Sequence, residues 1–255
     1  MNGSSKNAKP VLSLTNVYKH FGGVIAAEDV NLDFFGGEVL GLIGPNGAGK
    51  TTLVNLITGI YAADRGTIVF NGRDITKFPT YKRAQLGIAR TFQHPRLLDR
   101  CSVLDNILLG MDLATKEGRQ NKQGVQSEMM DLLTCAGLRN ASLKGPISKL
   151  SYGQQKMLEL VRAILSNPSV LLLDEPAAGL NHSEMQFIVA LIDVAVKKGI
   201  AVLLIEHAMD LVMNVSHRLT VLNFGHQIAN GTPAEIQENP VVIEAYLGGK
   251  RNVNH

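Results

Sequence analysis

Apolar and polar positions along this chain fall into blocks whose period changes several times. Val11–Val17 alternates loosely, Val24–Leu32 follows, and Gly36-Gly37 interrupts the pattern before the largely apolar run Glu38–Ile43. These three blocks predict strands, because short alternating or apolar runs bounded by glycine suit a sheet buried on at least one face. Thr51–Thr58 repeats at helical spacing and stops at Gly59. Thr67–Phe70 runs into Asn71-Gly72, the pattern of a strand entering a tight turn.

From about Gly87 to Leu165 the pattern predicts mainly helix. Ser102, with Asp105 three residues on, predicts a capped helix start, and Leu104, Ile107, Leu108 and Met111 recur on one face. Thr115–Gly124 is polar and charged, which predicts an exposed, mobile connection. Gln126–Ala136 and Gln155–Leu165 carry two further helical repeats. Strand character returns at Val170–Leu173 and Ile200–Ile205, with helical Met185–Val196 between them. Short apolar runs alternating with helices imply an α/β fold with a mostly parallel sheet covered on both faces. Near the C-terminus, Thr232-Pro233-Ala234-Glu235 combines an N-cap, a first-turn proline and a capping-box acid, and Asn239-Pro240 opens a second short helix.

Composition narrows the class. The chain has 255 residues, 45% hydrophobic and 18% charged, which suits a folded domain able to bury a substantial core. A formal net charge of +3 with no basic block argues against a dedicated nucleic-acid binder. The longest apolar runs are far shorter than the ~20 residues that cross a bilayer. Met1–Lys9 is polar and lacks the apolar core of a secretory signal. Contact with a membrane is therefore expected to run through a partner. Cys101 and Cys135 show neither metal spacing nor a disulfide framework, which points to a reducing, cytoplasmic setting.

The chemistry concentrates at two strand ends. Gly44-Pro45-Asn46-Gly47-Ala48-Gly49-Lys50-Thr51 matches the complete phosphate-loop pattern between a predicted strand and a predicted helix. Backbone N–H groups at a helix N-terminus can surround a triphosphate, and the glycines permit the close approach. Lys50 is expected to reach the β- and γ-phosphates of ATP, and the Thr51 hydroxyl to hold Mg²⁺. Val170–Glu175 ends in two carboxylates, at the sheet edge where ligands bind in open parallel sheets. Asp174 is expected in the Mg²⁺ shell, through water, and Glu175 as the general base that polarises the attacking water.

Between these sites lies Leu150-Ser151-Tyr152-Gly153-Gln154-Gln155, which resembles the signature segment of ATP-binding cassette proteins. The resemblance implies a P-loop NTPase of the ABC cassette type: a mostly parallel core, an N-terminal antiparallel β subdomain and an inserted α-helical subdomain. It implies a single cassette over residues 10–250, a helical insertion over about 88–165 and a helical tail over about 232–248. In that family the signature segment contacts ATP held by a second cassette, which makes Ser151, Tyr152, Gly153 and Gln154 candidate nucleotide contacts beside Gly44 through Thr51 and Thr52. Gln93 resembles the glutamine that senses the metal and the attacking water. His207 is similar to the histidine that contacts the γ-phosphate, and Phe21 to the aromatic that stacks on adenine, with Tyr18 close enough to compete. The candidate catalytic residues are thus Glu175, His207 and Gln93, and the candidate metal ligands Thr51, Gln93 and Asp174.

Tyr152 stands where most of the family has glycine, and Ala178-Gly179-Leu180-Asn181 ends without the usual aspartate. With Ile205-Glu206-His207, Asn230-Gly231-Thr232-Pro233 and Ala245-Tyr246-Leu247-Gly248, these departures resemble the ATPases of bacterial branched-chain amino acid importers. The partners this implies are a second cassette, identical or paralogous, integral membrane permease subunits, and indirectly a periplasmic binding protein. The expected location is the cytoplasmic face of the inner membrane. Other cargo, such as urea or amides, or lipopolysaccharide export, stays open here. A cassette acting on ribosomes fits less well, since such members usually carry two cassettes in one chain, and so does one acting on DNA, since the Lys50–Ser151 interval carries no sustained heptads.

Overall fold

The computed structural model describes residues 9–113 and 122–247. Among these residues one ten-stranded sheet runs through the molecule. Its parallel part contains β3 (Val39–Ile43), β6 (Ile88–Arg90), β7 (Val170–Asp174), β8 (Ala201–Ile205) and β9 (Arg218–Asn223) in the spatial order β9-β3-β8-β7-β6. β3, β7 and β8 are buried along their whole length, which is why they read as continuous apolar runs. β1 (Leu12–Phe21) and β2 (Val24–Phe34) form an antiparallel ribbon with β4 (Arg65–Phe70) and β5 (Arg73–Asp74). β10 (His226–Gly231) joins the two parts, pairing antiparallel with β9 and parallel with β2.

Side chains of the central strands alternate between two cores, as a period of two requires. Leu40, Leu42, Leu172, Leu203 and Ile205 pack with Leu53, Leu56 and Ile57 of α1 (Lys50–Thr58). Leu171, Leu173, Val202 and Leu204 face the other way, onto α5 (Tyr152–Leu165) and α6 (His182–Lys197). Each fully buried leucine here stabilises the fold by about 1.5–3 kcal/mol. A third core, under α7 (Met209–Val215), α8 (Pro233–Gln237) and α9 (Pro240–Leu247), covers Ile43, Leu219 and Val221.

Register decides where the chemistry can sit. Leu42 pairs with Ile205, Asp174 with Ile205 and Arg90 with Leu172, so the C-terminal ends of four strands share one edge. The phosphate loop, Asp174-Glu175, Glu206-His207 and Thr91–Gln93 all leave the sheet there.

The helical expectation from Gly87 onward needs correction at its start. Ile88–Arg90 forms β6 and pairs in parallel with Val170–Leu172, too short a segment to announce itself by period. The insertion therefore follows this strand, with α3 (Val103–Leu113), α4 (Lys122–Cys135) and α5. Ser102 and Asp105 cap α3 reciprocally, as expected, with the Ser102 N–H donating to the Asp105 carboxylate at 3.0 Å. On α3, however, Val103, Asn106, Ile107 and Gly110 turn inward, while Leu108 is exposed. Of the polar connection at Thr115–Gly124, residues 115–121 lie outside the described residues, and Lys122 already opens α4. Gly248 also lies outside them. The short helix α2 (Thr80–Leu86), α7, β9 and β10 carried no pattern that was read from the sequence.

Arg83 of α2 ties the end of α1 to its surroundings. Its guanidinium, 1% exposed, donates to the carbonyl oxygens of Leu56 at 2.6 Å, Ile57 at 2.9 Å, Thr76 at 2.8 Å and Phe78 at 2.9 Å. Two of these acceptors are final-turn carbonyls of α1, where a cation also meets the negative end of the helix dipole. Replacing Arg83 with Met should lower the unfolding free energy by about 2–4 kcal/mol, read from urea denaturation at an unchanged m value.

Candidate functional site

The phosphate loop links the end of β3 to α1 through three glycines, two of which no other residue could replace without movement. At Gly44, φ is 151° and an added Cβ would lie 2.1 Å from the Leu222 carbonyl oxygen. At Gly49, φ is 103° and the Cβ would lie 2.3 Å from the Ala26 oxygen. Gly49 also occupies the N-cap of α1 with no side-chain cap, so the first-turn N–H groups stay free for a ligand. Lys50 folds back over the loop and donates to the Gly44 oxygen at 2.7 Å and the Pro45 oxygen at 3.0 Å. Burial pushes its pKa down, while Glu175 and Asp174 pull it the other way. Asn46, Gly47 and Thr51 are exposed, and Thr52 is half-buried.

Asp174 closes β7 and accepts from Arg90 at 2.7 Å; the same guanidinium reaches the Asn55 amide oxygen at 2.7 Å. Glu175 follows in a left-handed conformation, φ 51°. Its carboxylate accepts from the Gln93 amide at 2.8 Å and lies 3.1 Å from His207 Nε2. Three residues expected to act together thus meet around one carboxylate. Buried Glu206 accepts from the Ala177 N–H at 2.6 Å and the His207 N–H at 3.0 Å, locking the loops after β7 and β8 to each other.

The Ser151–Gln154 segment opens α5 with a capping box: Ser151 Oγ accepts from the Gln154 N–H, and the Gln154 side chain accepts from the Ser151 N–H. The Tyr152 ring is exposed, and its hydroxyl donates to the Gln93 carbonyl at 3.0 Å. Gly153 packs against Glu184, whose carboxylate occupies the place of a Cβ. Asn181 caps α6 in a box with Glu184, so the missing aspartate costs this helix nothing: asparagine caps equally well. Among the described residues, no hydrogen bond joins Ser151–Gln154 to the phosphate loop.

Phe21, 44% exposed at the end of β1, stands edge-on to Tyr61 with centroids 5.0 Å apart. The Arg65 guanidinium lies 5.4 Å from the centroid of the Tyr18 ring and the Lys19 ammonium 5.2 Å from that of Phe21, so each of the two rings has a cation beside it. Among the described residues no group of three His, Cys, Asp or Glu could hold a metal alone. Thr51, Asp174 and Gln93 nevertheless offer only oxygen-bearing groups suited to a hard divalent cation, whose remaining ligands would come from phosphate and water.

Arg90, Lys156, Glu159 and Glu206 were not singled out for roles from the sequence, and all four touch the segments that carry Gln93, Asp174 or Glu175. Arg90 sat in plain view three residues before Gln93. Its role required knowing that β6 lies beside β7.

A phosphate loop, an acidic strand end and a capped signature helix on a mixed sheet define a nucleotide-hydrolysing cassette. The family model for ABC transporters matches residues 27–178, and that for branched-chain amino acid ATP-binding cassette transporters matches residues 226–251. The chain is 40% identical over 254 residues to LivG of Escherichia coli (strain K12), a high-affinity branched-chain amino acid transport ATP-binding protein, covering 94% of this chain and 99% of that one. It is 37% identical over 253 residues to the Pseudomonas aeruginosa protein BraF, of the same description, covering 94% and 99%. The crystal structure of an ABC transporter cassette in its ADP conformation superposes with a TM-score of 0.81 at 32% identity, covering 94% of this chain and 99% of that one. The chain belongs to the ABC transporter family and is an ATP-binding, ATP-hydrolysing cassette. No helix among the described residues is long and apolar enough to cross a membrane.

The glycine geometry separates three substitutions. Around Gly47 an added Cβ meets nothing within 4 Å, so Gly47→Ala should cost only the left-handed strain of about 1–2 kcal/mol. Gly44→Ala and Gly49→Ala should cost about 1–3 kcal/mol more and weaken nucleotide binding sharply. Thermal unfolding and titration with a fluorescent ATP analogue check both.

Proposed function

We propose that this cassette powers import of branched-chain amino acids, working as one of two cassettes docked on membrane permease subunits. The cargo assignment is supported by the names of the relatives and by the C-terminal family match. The chemical reading is carried by one observation: the Glu175 carboxylate is bonded by Gln93 and faced by His207 at the edge where Lys50 and Asp174 converge.

In this reading ATP is the substrate. Phe21 stacks on adenine, Gly44 and Pro45 shape the loop, and Asn46, Gly47, Ala48, Gly49 and Thr52 wrap the phosphates with backbone and hydroxyl donors. Lys50 leaves its carbonyl perches on Gly44 and Pro45 for the β- and γ-phosphates. Thr51, Gln93 and Asp174 would hold Mg²⁺, with Arg90 as the alternative partner of Asp174. When bound, the cation neutralises phosphate charge and orients the γ-phosphate. Glu175 accepts a proton from water aligned by Gln93, and His207 donates towards the γ-phosphate.

Ser151, Tyr152, Gly153 and Gln154 face the nucleotide of a second cassette, and so the ATP closes the pair. Moving a closed-to-open ratio from 1:99 to 99:1 takes about 5.5 kcal/mol of differential ATP affinity. That closure drives the membrane subunits, with the cassette peripheral on the cytoplasmic face and the periplasmic binding protein acting only through the permease.

Glu175→Gln should keep ATP binding and lower turnover about 10²- to 10⁴-fold, the span of general-base catalysis. ATPase assays of the purified chain, alone and with its membrane subunits, check this. Hydrolysis at the parental rate removes Glu175 as the base. Uptake of radiolabelled leucine, isoleucine and valine into vesicles carrying the whole complex tests the cargo; uptake of urea or an amide instead would reassign it.

A further inference from the structure

One face of α5 carries a row of polar groups, two of which lie buried. Tyr152, Lys156 and Glu159 are spaced i, i+4, i+7 and therefore share one helical face. Lys156 is 4% exposed and Glu159 3%, beside the buried Met157, Leu158, Leu160 and Val161. A charged side chain in such surroundings persists only when its hydrogen bonds return the desolvation cost.

Neither residue spends its charge on the other. Lys156 Nζ donates to the backbone oxygen of Glu175 at 2.9 Å and of Pro176 at 3.2 Å. Glu159 accepts from the N–H of Arg96 at 2.9 Å and of Phe92 at 3.4 Å, the two amides that flank Gln93. The Tyr152 hydroxyl takes the Gln93 oxygen, and Arg162, one turn beyond Glu159, takes the Arg96 oxygen at 2.7 Å. One helix therefore holds the main chain on both sides of the Gln93–Glu175 hydrogen bond.

Glu175 needs such a hold. Its φ of 51° is a conformation that L side chains disfavour and that persists only where surrounding structure over-determines it. The Glu175 N–H donates to the Ile205 oxygen at 2.9 Å, and its own oxygen receives both the Ala178 N–H at 3.2 Å and the Lys156 ammonium. Without Lys156, the Glu175 and Pro176 oxygens lose their charged donor. The peptide can then rotate towards ordinary φ, swinging the carboxylate away from Gln93 and His207.

We propose that Lys156 is a positioning residue for ATP hydrolysis, holding Glu175 in its left-handed conformation through the main chain rather than through the carboxylate. The inference rests on Glu175 being the general base. Burial lowers the Lys156 pKa, and the carboxylates of Glu206, Glu159 and Glu175 oppose that shift without reversing it.

The test measures steady-state and single-turnover hydrolysis by the full chain with Mg-ATP, with kcat expressed per site titrated with a non-hydrolysable ATP analogue. Lys156→Met should lower kcat about 10- to 100-fold, the scale of a misplaced catalytic group, and leave the ATP KM within about 3-fold. Lys156→Arg, which keeps a cation with several donors, should recover most of the loss. In a Glu175→Gln background, Lys156→Met should have no further effect, because the two changes act on one group. Parental kcat in Lys156→Met, or an equal further loss in the double variant, overturns the proposal. Should Lys156→Met leave no titratable sites, Lys156→Gln carries the test with the same two outcomes. Parental turnover in Glu175→Gln alone would instead remove the reading of Glu175, whatever Lys156 does.

Discussion

Parallel pairing of β6, β7, β8 and β3 is the constraint from which the site follows. Backbone hydrogen bonds set the register, with Asp174 opposite Ile205 and Leu42 opposite the same residue. A one-residue slip would exchange the two faces of β7, turning Leu172 away from α1 and Leu171 and Leu173 away from α5 and α6. Burial on both faces therefore pins the strands, and the pinned strands deliver four loops to one edge. The chemistry of those loops depends on a geometry that their own residues do not supply.

Charge is then distributed by a consistent rule. The buried cations Lys50, Arg83 and Lys156 bond mainly to backbone carbonyl oxygens, and Arg90 pairs with Asp174. Carbonyl acceptors satisfy a buried cation without a second ion to desolvate. They also leave the carboxylate of Glu175 free of lysine, so it meets only the neutral amide of Gln93 and the ring of His207. A lysine bonded directly to that carboxylate would hold it as an anion and lower its affinity for a proton.

α5 unites the two halves of this arrangement. Its N-terminus is the signature segment, capped internally by Ser151 and Gln154, and its inward face grips the main chain around Gln93 and Glu175. Tyr152, a departure from the common family pattern, is the residue that reaches the Gln93 carbonyl. Its ring lies over Gly179 and near His94, so it ties the start of α5 to two loops that glycine could not reach.

What could be read from residues alone was local. The phosphate loop, the acidic end of β7, and the caps at Ser102 and Thr232 each depend on backbone angles and hydrogen bonds within a few positions. Short-range physics of that kind leaves a pattern in the sequence. Tertiary structure decided the rest: that Ile88–Arg90 is a strand, that Leu108 faces outward, that Arg90 meets Asp174 across 84 positions, and that Lys156 holds Glu175. These outcomes depend on which elements pack side by side, and that is set by burial and register summed over the whole sheet. A lysine bonded to a distant carbonyl has the same one-letter code as a lysine in water.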